Sequence, residues 1–411
     1  MPEVGRVKLT PDSRKQVFSR ADEIATPYYY SVFTGASRSQ RIRTEVTATD
    51  HCGYLRFTFS RAAKPLVLIE GSRKGVSGYI RVDQSRREVT GYNSDRMDSN
   101  LGPFTLPHFK GYFIVEFSEP FQKYGTYTGL TAAPENHSAK DSNVGAYVGF
   151  SPKRGKNVSA KVGTSFISVE QARANLKAEI PDWQFETVRE GLKDVWNQKL
   201  GIVTIEGATK DQRAIFYTGL FHALLYPKLF SENGRYYSAF DDQVHRGISY
   251  TAYSLWDTFR AENSLITLFA PERVNGMVNA LLQDYREGGW MPKWPNPSYT
   301  NIMVGTHADA VVAEAINKGF HGFDYKLAYD AVSKDAMIPP DGDTKRLWLD
   351  REEHTPYEAR AGLTYSKQLG YVPVDKTAEA AASTLEDAYD DWAVAQVAMA
   401  LGKKDEAPFY I

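Results

Sequence analysis

The sequence predicts an α+β multidomain protein, an antiparallel β-sandwich followed by a helical domain of the α/α toroid type. Short runs with period-2 hydrophobicity fill the chain up to about residue 166. Near Ser168 the apolar spacing changes to the helical period and stays there. Strands therefore precede helices instead of alternating with them, which is the order of separate β and α domains rather than of a parallel βαβ sheet.

The strand region begins with Ile42, Thr44, Val46 and Ala48 alternating with polar residues. Asp50-His51-Cys52-Gly53 reads as a turn, after which Leu55, Phe57 and Phe59 resume the alternation. Further short runs follow at Leu66–Glu70, Tyr79–Val82, Tyr112–Phe117, Ala146–Phe150 and Val158–Val162, separated by Gly, Pro, Asn and Ser clusters. Ser168 with Gln171 forms a capping-box pattern, and Ala172, Leu176 and Ile180 continue it at helical spacing up to Pro181. Apolar stripes then recur along Phe185–Trp196 and Ile215–Leu224, and again along Val274–Leu282 with Pro271 near its start. Val311–Ile316 forms another, stopped at Gly319, and a last long helix runs from about Ser383 to Leu401 with Gly402 beyond it.

Composition narrows the function classes. A formal net charge of -1 gives no basis for a nucleic-acid partner. No run is long and apolar enough for a transmembrane helix, and Met1–Gly5 is not a signal peptide. Cys52 is the single cysteine, so an intrachain disulfide and a Cys-based zinc site are excluded. Aromatics at 13% suit either sugar stacking or packing of a sandwich and a helical core.

Four clusters carry candidate chemistry. In Ser254–Arg260, helical spacing puts Trp256 and Arg260 on one face and Asp257 three residues before Arg260. Trp256 and Asp257 suit a sugar clamp, the ring stacking on a pyranose and the carboxylate accepting hydroxyls; equally, the Trp is core and the Asp pairs with Arg260. Glu287–Pro295 is a loop holding Trp290 and Trp294, which lines a pocket or plugs a core. In Gly305–Asp309, Thr306 is placed to cap a helix, and His307 either binds a ligand or caps locally. His307 and Asp309 alone make no metal site. In Thr384–Trp392, Glu386 and Asp390 share a helix face, as paired acidic pocket residues or as complements of the helix dipole. The residues alone lead to a pocketed helical enzyme, carbohydrate-active or otherwise, with a β-sandwich partner.

Several strings together resemble signature segments of glycoside hydrolase family 92, bacterial exo-α-mannosidases. They are SLWDTFR at Ser254–Arg260, GTHAD at Gly305–Asp309 and TLEDAYDDW at Thr384–Trp392. Ala25–Tyr30 resembles the family's A-x-P-G-Y-Y segment with Tyr28 in place of Gly. Thr47–Phe59 resembles its T-x-T-x-x-x-G-x-x-R-F-x-F run, and Gly163–Ser168 the close of its sandwich. The resemblance implies a β-sandwich over residues 1–166, a helical linker over 167–198, and an incomplete (α/α)6 barrel over 199–411. It implies calcium-dependent, inverting hydrolysis of terminal α-linked mannose from glycans, for example α1,2-linked, in a full-length protein that is periplasmic, secreted or at the cell surface. Trp256, Asp257, Trp290 and His307 are the expected substrate contacts, with Glu386 and Asp390 as further acidic pocket residues. The family's general acid belongs to a Gly-Asn-Glu-Pro segment and its base to a Gly-Asn-Asp-Asp segment, and neither string occurs in this sequence. The expectation is therefore a fragment truncated at both ends, with most calcium ligands outside it, inactive and poorly soluble alone. Another (α/α)6 enzyme of glucosidase or phosphorylase type, and a non-catalytic mannose-binding module, are the alternatives.

Overall fold

The computed structural model describes residues 1–37, 40–60, 64–94, 106, 108–151, 157–300, 302–344 and 360–410. The chain divides into two compact units, one of Met1–Asp95 with His108–Thr204 and one containing Ile205–Ile411.

The first unit holds fourteen described strands. They are β1 (Pro2–Val4), β2 (Ile24–Thr26), β3 (Tyr29–Thr34), β4 (Ile42–Ala48), β5 (Cys52–Phe59), β6 (Pro65–Glu70) and β7 (Ser77–Asp83). After these come β8 (Glu88–Asn93), β9 (Gly111–Phe117), β10 (Phe121–Thr128), β11 (Thr131–Pro134), β12 (Ser138–Ser142), β13 (Val144–Phe150) and β14 (Val158–Ser165). One helical turn, α1 (Pro11–Arg14), follows the first strand, and the helices α2 (Val169–Glu179) and α3 (Phe185–Leu200) follow the last. A five-stranded sheet runs β1-β6-β13-β10-β11, and a nine-stranded sheet runs β12-β7-β8-β9-β14-β5-β4-β3-β2. All their pairings are antiparallel.

Side-chain alternation explains the layering. Phe57, Val115, Phe117 and Val158 on the large sheet meet Val67, Val144, Ala146 and Val148 on the small one, which makes the sandwich core. The opposite face of the large sheet presents Cys52, Tyr54 and Ile114 to Ala172, Leu176 and Ile180 of α2 and to Phe185 of α3. The large sheet is thus covered on both faces. Ser168 caps α2 by accepting from the Gln171 N–H, which is the serine half of the predicted capping box; the Gln171 amide donates to Asn175 at 2.8 Å. The turn predicted over Asp50–Gly53 is tighter: Thr49 N–H donates to the Cys52 carbonyl at 2.8 Å, and Cys52 already lies buried in β5. Burial and the Glu179 charge push the Cys52 thiol well up, so it behaves as a small apolar residue.

The second unit opens with α4 (Lys210–Ala223) and four short strands, β15 (Lys228–Leu229), β16 (Arg235–Ser238), β17 (Gln243–Arg246) and β18 (Tyr250–Thr251). The helices α5 (Leu255–Thr258), α6 (Glu262–Phe269), α7 (Pro271–Gly288), α8 (Ala308–Asn317), α9 (Tyr325–Met337), α10 (Leu363–Leu369) and α11 (Ala380–Ala400) follow. They form an incomplete (α/α)6 barrel. Its core joins α6, α7, α8, α9 and α11 through Ile266, Val278, Leu281, Val312, Ala328, Val332, Val394 and Val397. Ala308–Ala313 of α8 are all buried, so this helix is central rather than amphipathic. The stripe predicted on α4 behaves differently. Ile215 is 73% exposed and only Leu220 is buried, because no described element covers that face.

Candidate active site

α8 and α11 converge on His307. This residue N-caps α8 with its backbone, while its ring is only 1% exposed. Thr306 is not the cap: its hydroxyl donates to Asp309 Oδ2 at 2.7 Å, inside the protein. Glu386 and Asp390 lie one turn apart on α11, so both reach the imidazole. His307 Nδ1 sits 2.9 Å from Asp390 Oδ1, and Nε2 lies 3.5 Å from Glu386 Oε2, too long for a well-formed hydrogen bond. Phe259 stacks on the His307 ring with centroids 3.7 Å apart. Gly305 makes this close approach possible: at φ +79, a Cβ there would stand 2.6 Å from His307 Nε2.

The Ser254–Arg260 segment joins the same constellation. Arg260 donates to Glu386 Oε1 at 2.5 Å and to the Trp256 carbonyl at 3.1 Å, with its guanidinium 5.1 Å from the Trp256 ring centroid. Asp257 therefore does not pair with Arg260. It accepts instead from Ser254 Oγ at 2.7 Å, and Ser254 Oγ accepts from the Trp294 indole at 2.8 Å. This chain of bonds fixes an exposed carboxylate on a one-turn helix. Trp256 Nε1 is buried and has no hydrogen-bond partner among the described residues. Burial and the Asp257 charge push Glu262 up to about 6.

Behind His307 lies a buried ionic layer. Arg360, fully enclosed, contacts Asp309 Oδ2 at 3.3 Å, donates to Thr306 Oγ1 at 3.2 Å and pairs with Asp391. Burial opposes its charge, but Asp387, Asp391, Asp309 and Asp390 hold the guanidinium ionised. Burial pushes Asp387 up to about 7 and raises Asp309 and Asp335 well above the usual carboxylate range. Neither oxygen of Asp335 has a hydrogen-bond partner among the described residues.

Family models match along almost the whole chain. One, described as the glycosyl hydrolase family 92 N-terminal domain, covers residues 1–165, and one described as the family 92 catalytic domain covers residues 171–411. The chain belongs to glycosyl hydrolase family 92. A family 92 inverting mannosidase of Bacteroides thetaiotaomicron superposes with a TM-score of 0.91 at 31% identity, over 100% of this chain and 53% of that one. A family 92 α-mannosidase from the same organism gives 0.86 at 27%, over 100% of this chain and 55% of its own. A secreted glycosidase of Arthroderma benhamiae, itself uncharacterised, is 25% identical over 99% of this chain and 53% of its own length. The chain thus spans about half the length of the relatives it matches.

Within this family 92 chain, the structure brings Trp256, His307, Glu386 and Asp390 into one connected set through Phe259 and Arg260. Asp257 joins by adjacency to Trp256. Trp290 has anchors of its own. Its backbone N–H and carbonyl both bond the Tyr299 hydroxyl, at 3.0 and 2.7 Å, and the Lys334 ammonium lies 4.1 Å from its ring centroid. Sequence reasoning missed Glu262, Arg360 and the anchoring roles of Ser254 and Trp294. The last two fall within the quoted clusters, whereas Arg360 carries no local motif.

Asp241, His245 and Glu287 place one ligand atom each within 4.8 Å of one another, a group that can hold a metal ion. It is the one such group found among the described residues. An imidazole nitrogen among its three donors does not fit calcium, which takes oxygen ligands. No helix among the described residues is long and apolar enough to cross a membrane.

Proposed function

We propose that this chain is the sugar-holding part of an inverting exo-α-mannosidase that acts on terminal α-linked mannose of glycans, in a full-length protein that is periplasmic, secreted or at the cell surface. The observation that carries the reading is an anchored, exposed Asp257 carboxylate adjacent in the chain to the half-buried Trp256. A carboxylate accepts hydroxyl hydrogen bonds, and an indole ring offers a face to a pyranose. Arg260 holds Glu386 at the edge of the same site. Two solved family 92 relatives are mannosidases, one of them inverting, which supports mannose over glucose.

Inverting hydrolysis needs an acid and a base on opposite sides of the glycosidic bond, about 6.5–9.5 Å apart to leave room for water. Asp257 is assigned to hydroxyl binding, not proton transfer, and the two strings that carry the family's acid and base do not occur in this sequence. The reading keeps calcium as the family's cofactor and assigns it no ligand here. The purified 411-residue chain is therefore expected to bind mannose without hydrolysing α-mannosides, α1,2-linked mannobiose being the first to test. Calcium-dependent release of mannose by this chain would overturn that division of roles.

A further inference from the structure

We propose that Asp241, His245 and Glu287 form a binding site for a divalent transition metal of the zinc class, joining the β16–β17 hairpin to the last turn of α7. Asp241 lies in the hairpin turn and His245 in β17. In the Asp241 side chain, Oδ1 accepts from the Gln243 N–H at 3.1 Å, which turns Oδ2 toward His245 Nε2 at 2.7 Å. Glu287 Oε1 stands 3.9 Å from the same Nε2. Tetrahedral zinc with bonds of about 2.0–2.2 Å separates its ligand atoms by roughly 3.4 Å. The two separations at Nε2 bracket that value, and all three ligand atoms lie within 4.8 Å of one another, close enough to be gathered by one ion.

A second observation points to a cation. Glu287 is nine-tenths buried, and its Oε2 has no hydrogen-bond partner among the described residues. Asp284, one turn earlier on α7, is 5% exposed, and its Oδ2 is likewise without one. Glu287 thus brings a buried carboxylate with one unsatisfied oxygen to the hairpin's imidazole, and a buried carboxylate is costly unless paired or bound to a metal. The surroundings have the features of a metal site's supporting shell. Tyr236, opposite His245 in the strand register, donates its hydroxyl to Glu287 Oε1, and its ring lies 5.6 Å from the imidazole centroid. His245 and Asp241 remain 32% and 25% exposed, which leaves an entry path. The mixed nitrogen and oxygen donor set selects zinc or cobalt over calcium and magnesium. Three protein ligands leave a fourth position for water.

The test is titration of the chelator-treated full chain with Zn2+ by calorimetry, and with Co2+ by its visible absorption. The expected result is one equivalent bound, a tetrahedral cobalt spectrum, and a zinc-dependent rise in the thermal midpoint that excess Ca2+ does not reproduce. His245→Ala should weaken zinc binding at least tenfold and abolish the rise, with His245→Cys restoring a nitrogen-free tetrahedral spectrum. Zinc binding no tighter in the native chain than in His245→Ala, or a cobalt spectrum that stays that of the hexaaqua ion, overturns the proposal. The cobalt spectrum of the native chain decides even where a variant fails to fold. None of these readouts uses sugar, so the result stands apart from the mannose assignment.

Discussion

Asp387 shows how burial, not sequence spacing, sets the charge of this site. Its ordinary pKa is about 3.9, and burial lifts it to about 7 in the folded chain despite the attraction of Arg360. Below about pH 4 both folded and unfolded states carry the proton. Between there and pH 7 the folded state alone retains it, so the folded chain binds more protons and stability falls as pH rises. Above the folded pKa the contribution is gone. Asp387→Asn keeps the shape without the titration. Urea unfolding of native and variant chains should therefore show the variant gaining relative stability between about pH 5 and about pH 8. A difference that stays constant across that range contradicts the assignment. The short motifs exposed Glu386 and Asp390, neighbours of Asp387, as acidic residues sharing a helix face. They did not reveal that Arg360, remote in sequence and without a motif, sits among them and makes the face an ionic layer instead of a solvated one.

At the scale of elements, the strands and helices with strong periodicity were legible. Ile42–Ala48 is predicted and observed with the same bounds, and Ser168 caps α2 as its pattern requires. The strands that escaped notice carry weaker alternation. β8 contains Gly91, and β12 reads Ser-Ala-Lys-Asp-Ser; both are strands because the large sheet supplies hydrogen-bonding neighbours. Asp257 is a similar case. The i,i+3 spacing favours a pair with Arg260, but the helix lasts a single turn, and the partner is Ser254, itself held by Trp294 from a separate loop. The contact between α2 and the large sheet offers a direct test of element packing. A Cβ on Gly163 of β14 would stand 2.4 Å from the Ala172 carbonyl oxygen and 2.9 Å from Leu176 Cβ. Gly163→Ala should destabilise the chain by roughly 1–3 kcal/mol through overpacking, read as a lowered urea midpoint with an unchanged slope. A change within about 0.5 kcal/mol would mean that α2 is not seated against β14 as described.

For the molecule as a whole, the order of sandwich and helices was legible because the hydrophobic period changes once and does not change back. The exposure of several helical stripes was not, since periodicity marks an apolar face without saying what covers it. On α11, Leu385, Tyr389, Trp392 and Met399 recur at helical spacing and are 74%, 41%, 48% and 51% exposed. Ile215 on α4 and Leu268 on α6 are also largely exposed. A contiguous apolar stripe of this kind drives association. The purified chain is expected to self-associate with rising concentration in light scattering, and Leu385→Lys with Trp392→Lys should reduce it. Monodisperse behaviour of the native chain at high concentration would show that the stripe is covered.

The central claim is that Trp256 and Asp257 hold a terminal mannose. Calorimetric titration of methyl α-mannoside into the 411-residue chain, beside Asp257→Ala and Ser254→Ala, tests it most directly. The account predicts saturable binding by the native chain and at least a tenfold loss in Asp257→Ala, about 1.4 kcal/mol or more. Ser254→Ala should lose less, because it frees the carboxylate without removing it. No measurable binding by the folded native chain, or equal affinity in Asp257→Ala, would contradict it.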